Sequence, residues 1–166
     1  MSDPAGDQAP VKMTVRALVM DPVSNMPVVI LEQPEQNAYL PIWIGVCEAN
    51  SIALQLEGVT TPRPMTHDLI RSLVDTLGYS VQHIYIHTLD ESVFLASIFL
   101  KNGDGELREV DSRPSDALAV ALRTDAEVLV HPDVLARALV TETSREDAIR
   151  MILEKMRPED MGEYEM

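Results

Sequence analysis

Three adjacent strand-like stretches in the middle of the chain constrain its fold more than any other feature. Ser80 to His87 places Val81, His83, Tyr85 and His87 against Gln82, Ile84 and Ile86. Ser92 to Leu100 is the most apolar stretch and is predicted to be a central strand, and Glu106 to Val110 is the third. Asn102-Gly103-Asp104-Gly105 between the last two supplies the positive-φ residues of a tight hairpin turn. An alternating stretch, a near-continuous apolar one and a third joined to it by that turn predict three strands in an antiparallel meander.

The chain before the meander reads as a hairpin followed by helices. Val11 to Met20 alternates, with Met13, Val15, Ala17 and Val19 on one side. Asp21-Pro22-Val23-Ser24-Asn25 turns it, Met26 to Gln33 returns, Pro34 to Asn37 turns again, and Tyr39 to Gly45 is a short apolar strand. Glu48 to Leu56 then takes up the helical period, with Ala49, Ile52, Ala53 and Leu56 on one face and Gly58 after its end. A loop with two prolines leads to a second helix, capped by Thr66, whose apolar face is Leu69, Leu73, Val74 and Leu77, closed by Gly78.

After the meander come a helix from Pro114 to Arg123, a brief strand Glu127 to Val130, a short helix from Pro132, and a last helix from Ser144 to about Met156. Hairpins, helices, a meander and more helices describe an α+β fold. We expect one domain over residues 11–140, with a mostly antiparallel mixed sheet packed with helices. Met1 to Pro10 reads as a disordered leader, and residues 141–166 as a C-terminal helix with an acidic tail.

Composition narrows the function. One cysteine, Cys47, excludes an intramolecular disulfide framework and a cysteine zinc site, and reads as a small buried hydrophobe. No apolar run reaches the roughly 18 residues of a membrane span. The polar start carries no secretory signal, so a cytoplasmic protein is expected. The net charge is −14, and most of that excess lies ahead of residue 142. Such a body disfavours broad, nonspecific nucleic-acid binding, which needs a basic face. There is no glycine-rich phosphate loop and no nucleophile elbow.

Two short stretches rhyme. Arg63-Pro64-Met65-Thr66-His67-Asp68 and Asp111-Ser112-Arg113-Pro114-Ser115-Asp116 each run from Arg-Pro through a hydroxyl to an aspartate at a helix start. Pro114 fits the first helical turn, Ser112 can cap it, and Ser115 and Asp116 sit where the dipole favours oxygen and negative charge. For Asp68, Asp116 and Glu48, which opens the first helix, two readings stand. Each complements a helix dipole, or together they hold Mg²⁺ or Mn²⁺. Arg63 and Arg113, each held extended by a following proline, either pair with the aspartates or grip a phosphate. His67 is a first-turn polar residue or a general acid–base. Glu57, against its helix dipole, suggests a partner such as Arg63. His83 and His87 read as a strand surface or subunit contact, and His131 as a loop residue.

Pro41-Ile42-Trp43-Ile44-Gly45, the Glu48-Ala49 helix start, Arg63-Pro64 through Thr66-His67-Asp68-Leu69, and Asp111 through Ala117 with Ala119 and Ala121 together resemble the bifunctional nuclease domain family. The resemblance covers about Val11 to Val140. It implies an α+β fold, cleavage of RNA and/or DNA, and compact homo-oligomers, a dimer first among them. The expectation is then a metal-assisted phosphodiesterase. His67, Asp68 and Asp116 would be catalytic, and Asp68, Asp116 and Glu48 would hold the cation. Arg63, Arg113 and Ser115 would meet the phosphate. The alternative is a non-catalytic oligomeric binding or regulatory module in which the same residues brace loops.

Overall fold

The computed structural model describes residues 8–36 and 38–141. The expected C-terminal helix and acidic tail, and most of the leader, lie outside them. Seven strands form one sheet in the order β3-β2-β1-β7-β4-β5-β6. They are β1 (Val11–Met20), β2 (Pro27–Gln33), β3 (Ala38–Trp43), β4 (Tyr79–Asp90), β5 (Val93–Asn102), β6 (Leu107–Ser112) and β7 (Glu127–Val130). Four helices accompany them, α1 (Val46–Leu56), α2 (Thr66–Thr76), α3 (Pro114–Thr124) and α4 (Pro132–Thr141). All pairings are antiparallel except β4 with β7. The fold is α+β, as the order of periodicities requires.

The shortest strand takes the centre. β7 has four residues but inserts between β1 and β4, joining the N-terminal hairpin to the meander. β5, expected at the centre, lies next to the edge strand β6. Both edges carry features that oppose further pairing: Pro41 in β3, and Arg108, Glu109 and Asp111 in β6.

The core lies between the sheet and helices α1, α2 and α3, with α4 against β3 and β4. Ile84, Ile86, Ala96 and Ile98 point into it beneath α3. A register shift between Val81 and His83 turns Val81 toward the core, while His83, Tyr85 and His87 stay on the opposite face. β2 is buried on both sides, Val29 and Leu31 in the main core and Val28 and Ile30 in a second cluster with Trp43. That two-sided burial explains its continuous apolar run.

Several sequence expectations are corrected. The α2 face read as buried is exposed: Leu69 is 52%, Leu73 53% and Leu77 73% accessible, and His67 with Ile70 and Val74 turns inward instead. Thr66 is the first helical residue rather than the cap, which is Met65. Likewise Arg113, not Ser112, occupies the N-cap position of α3, and the Ser112 hydroxyl bonds the Arg113 carbonyl. Cys47 is exposed because α1 starts two residues earlier than its apolar period shows, and its first turn stands clear of the core. His131 does lie in a loop, between β7 and α4, and it is buried there, with Nδ1 accepting the Asp133 N–H at the start of α4.

The first hairpin turn holds an acid-sensitive lock. Asp21 accepts hydrogen bonds from the Ser24 hydroxyl, the Trp43 indole at 3.0 Å and the Val23 N–H at 3.0 Å. These donors, Ser24 first, lower its pKa from 3.8 to about 2. A carboxyl depressed in the folded state stabilises the fold above its unfolded pKa and loses that contribution as pH falls through the folded one. Denaturant midpoints of the wild type should therefore fall between pH 4 and 2, and Asp21→Asn should flatten that acid limb. Equal slopes for the two proteins would remove Asp21 from this role.

Candidate active site at three helix starts

Each of α1, α2 and α3 carries an acid at the third helical position, and no N-cap side chain bonds any of these helix starts. The N-caps are Gly45, Met65 and Arg113, none of which offers a side-chain oxygen. The acids are Glu48, Asp68 and Asp116, placed where the dipole favours negative charge. Asp68 accepts the N–H of its own N-cap residue, Met65, at 2.8 Å. Gly45 matters here because a Cβ at this position would collide with the Glu48 carboxylate folded over it.

His67 ties the three helices together. Its Nε2 lies 2.9 Å from Asp116 Oδ1 on α3, and its Nδ1 lies 2.8 Å from Ser51 Oγ on α1. With Asp116 ionised, Nε2–H donates to the carboxylate and Nδ1 accepts the Ser51 hydroxyl, so a neutral ring meets both needs. Ser51 and His67 are 6% and 7% exposed, whereas the Asp116 side chain is 26% exposed. The Ser-His-Asp chain thus runs from the interior to the surface, with the carboxylate outermost.

Arg113 closes the surface end. Its Nε and one terminal nitrogen contact Asp116 Oδ2 at 2.8 and 2.7 Å, and that terminal nitrogen also reaches Glu48 Oε1 at 2.8 Å. The hydrogen bonds that Arg113 donates to Asp116, followed by the Asp116 charge and by Glu48, raise the already high guanidinium pKa. The Arg113 side chain is nonetheless 66% exposed, whereas those of Asp116 and Glu48 are 26% and 16% exposed.

Asp68 belongs to a second ion pair. Arg123, its side chain 4% exposed, donates Nε to Asp68 Oδ1 at 2.6 Å and its other nitrogens to the Ala119 and Ser51 carbonyls. Burial alone would raise the Asp68 pKa, but the Met65 N–H and the Arg123 guanidinium outweigh it and lower the pKa.

The structure therefore joins His67, Asp116, Arg113 and Glu48, and gives Asp68 to Arg123. Ser115 is buried in the first turn of α3. Arg63 lies on the loop before α2, exposed, and no ion pair joins it to Glu57 among the described residues. As arranged, the residues do not fit the expected divalent ion. Both Asp116 oxygens, both Asp68 oxygens and one Glu48 oxygen are already engaged. Among the described residues no three His, Cys, Asp or Glu are placed to hold a metal.

Sequence reasoning missed Ser51 and Arg123. Both had a signal: a polar residue inside an otherwise apolar face. Ser51 stands between Ala49 and Ile52, and Arg123 ends a helix whose middle is unbroken Ala, Leu and Val. A charge in such a helix calls for a buried partner.

Three helix starts on one sheet face, with arginine-bridged acids and a histidine, define an α+β domain carrying a charged surface cluster. The Bifunctional nuclease domain description matches residues 29–143, and the chain belongs to that family. An uncharacterized protein of Mycobacterium tuberculosis is 42% identical over 132 residues, covering 78% of each chain. Bifunctional nuclease 2 of Oryza sativa subsp. japonica is 33% identical over 92 residues, covering 53% of this chain and 28% of the rice protein. Bifunctional nuclease 2 of Arabidopsis thaliana is 29% identical over 106 residues, covering 61% and 32%. This chain thus corresponds to about a third of each plant protein. No helix among the described residues is long and apolar enough to cross a membrane.

Proposed function

We propose that the protein hydrolyses phosphodiester bonds of RNA or DNA at the Arg113–Asp116 cluster. The observation that carries this reading is an exposed arginine shared between two carboxylates, one of them backed by a buried histidine. Arg113 can turn from its carboxylate partners to phosphate oxygens because its own side chain is 66% exposed, while Asp116 and Glu48 stay at 26% and 16%. That exchange frees Asp116 Oδ2, while His67 keeps Oδ1 and fixes the carboxylate plane. Asp116 then takes the proton of a water attacking phosphorus, the phosphorus–oxygen ester bond breaks, and the leaving oxygen takes a proton from solvent. Family membership and the plant nucleases support the reaction class. Asp116→Asn should abolish cleavage of fluorescent single-stranded RNA and DNA while the variant stays folded, and unchanged cleavage would contradict this reading.

The alternative is a non-catalytic oligomeric binding or regulatory module. One observation favours it: Glu48, Asp68 and Asp116 all have arginine partners, as braces would.

Under either reading we propose a homodimer through α2. Leu69, Leu73 and Leu77 follow one another at intervals of four, each more than half exposed, and the charged residues Asp68, Arg71 and Asp75 lie on the other side. The uncharged arc suits a two-fold contact centred on Leu73, which sets each stripe against its own copy. α2 is only roughly 16 Å long, so the dimer should be weak and concentration-dependent. Sedimentation should show dimer in the wild type and monomer in Leu73→Glu. A wild type monomeric at every concentration would contradict it.

A further inference from the structure

A groove of about 490 Å³ opens beside the helix-start cluster, between the end of α1, the loop 59–64 and α2. Its volume falls in the range of small-molecule sites, roughly 300–1,000 Å³. Arg63, Arg71 and Arg123 line it against only Asp68 and Asp75. In a chain with 27 acids and 13 bases, this is a local reversal of charge.

Arg123 is spent on Asp68. Arg71 is held loosely, 3.7 Å from Asp75, with both side chains more than half exposed. The Arg63 side chain has no hydrogen bond or ion pair among the described residues. Its backbone is nevertheless fixed. Pro62 and Pro64 bracket it, and the Thr61 hydroxyl bonds its carbonyl at 2.7 Å. A free guanidinium on a fixed backbone is a preorganised anion contact. Beside it lie apolar surfaces of Leu54, Val59 and Met65 and the hydroxyls of Thr60 and Ser72. Phosphate, planar base and sugar hydroxyls would each meet a matching group.

We propose that this groove binds one nucleotide unit, its phosphate on Arg63 and Arg71 and its base against the apolar wall. The nucleotide is either free or part of a strand. The inference deepens the nuclease reading and rests on it for the source of the ligand. Binding is measured without turnover, so the two claims fail separately.

The experiment is calorimetric titration of the full chain with AMP, adenosine, inorganic phosphate and a 5′-phosphorylated, uncleavable single-stranded oligonucleotide. AMP should bind at least tenfold more tightly than adenosine or phosphate. Arg63→Ala, on an exposed side chain, should weaken AMP at least tenfold without altering the melting curve. Competition by the oligonucleotide would assign the site to a strand, and its failure to compete would assign it to free nucleotide. Absence of AMP binding, or binding weakened by Arg113→Ala and not by Arg63→Ala, would overturn the proposal. Nucleotide binding without any cleavage would keep the groove and remove the nuclease reading.

Discussion

Arg123→Ala is expected to destabilise the protein by about 3 kcal/mol, the lower end of the loss when one member of a buried ion pair is removed. Its side chain is 4% exposed and bonds three elements: the Asp68 carboxylate on α2, the Ser51 carbonyl on α1 and the Ala119 carbonyl on its own helix. The substitution also leaves a cavity where the aliphatic stem packed. Asp68 is 35% exposed and can be rehydrated, which keeps the loss from being larger. Urea unfolding checks it. The double variant Asp68→Leu with Arg123→Met should recover part of the loss, since it leaves no charge behind. A loss below about 1 kcal/mol in Arg123→Ala would mean that the three helices are held by packing alone.

Asp116→Asn is expected to lower cleavage by at least about a hundredfold, the usual contribution of a positioned general base. The amide can still accept from His67 at Oδ1, but it presents Nδ2 to Arg113 in place of a carboxylate oxygen. Arg113, whose side chain is 66% exposed, then turns to solvent, and the fold should lose about 1 kcal/mol. His67→Ala acts differently, through position. It leaves Ser51 without its partner and Asp116 without its second contact. Activity and stability should therefore fall together in His67→Ala, whereas activity alone falls in Asp116→Asn.

Strand positions were legible because β1 and the start of β4 alternate and β5 is a continuous apolar run ended by a turn, and their bounds in the structure nearly match those signals. Strand order was not, because nothing local in Glu127–Val130 reveals that four residues sit at the centre of a sheet. The α2 stripe illustrates a different limit. Leucines at helical spacing state which residues share a face, but not whether that face meets the core. At the site, both rhyming motifs did mark helix starts, and His67 with Asp116 did come together across 49 residues. Asp68 did not join them. Arg123, two helical turns beyond Asp116, captured it, and nothing local in the sequence says which acid an arginine on an apolar helix will take.

The most direct measurement is the initial rate of cleavage of fluorescent single-stranded RNA and DNA by wild type and Asp116→Asn, with matched melting curves and with EDTA, Mg²⁺ or Mn²⁺ present. The predicted result is cleavage by the wild type that survives EDTA and is lost in the folded variant. Cleavage by both proteins alike, or none by the wild type in any condition, would contradict the assignment of phosphodiester chemistry to the Arg113–Asp116 cluster. Cleavage that requires Mg²⁺ or Mn²⁺ would show that Asp116 or Glu48 leaves its arginine to hold a cation, and would replace the metal-free step proposed above.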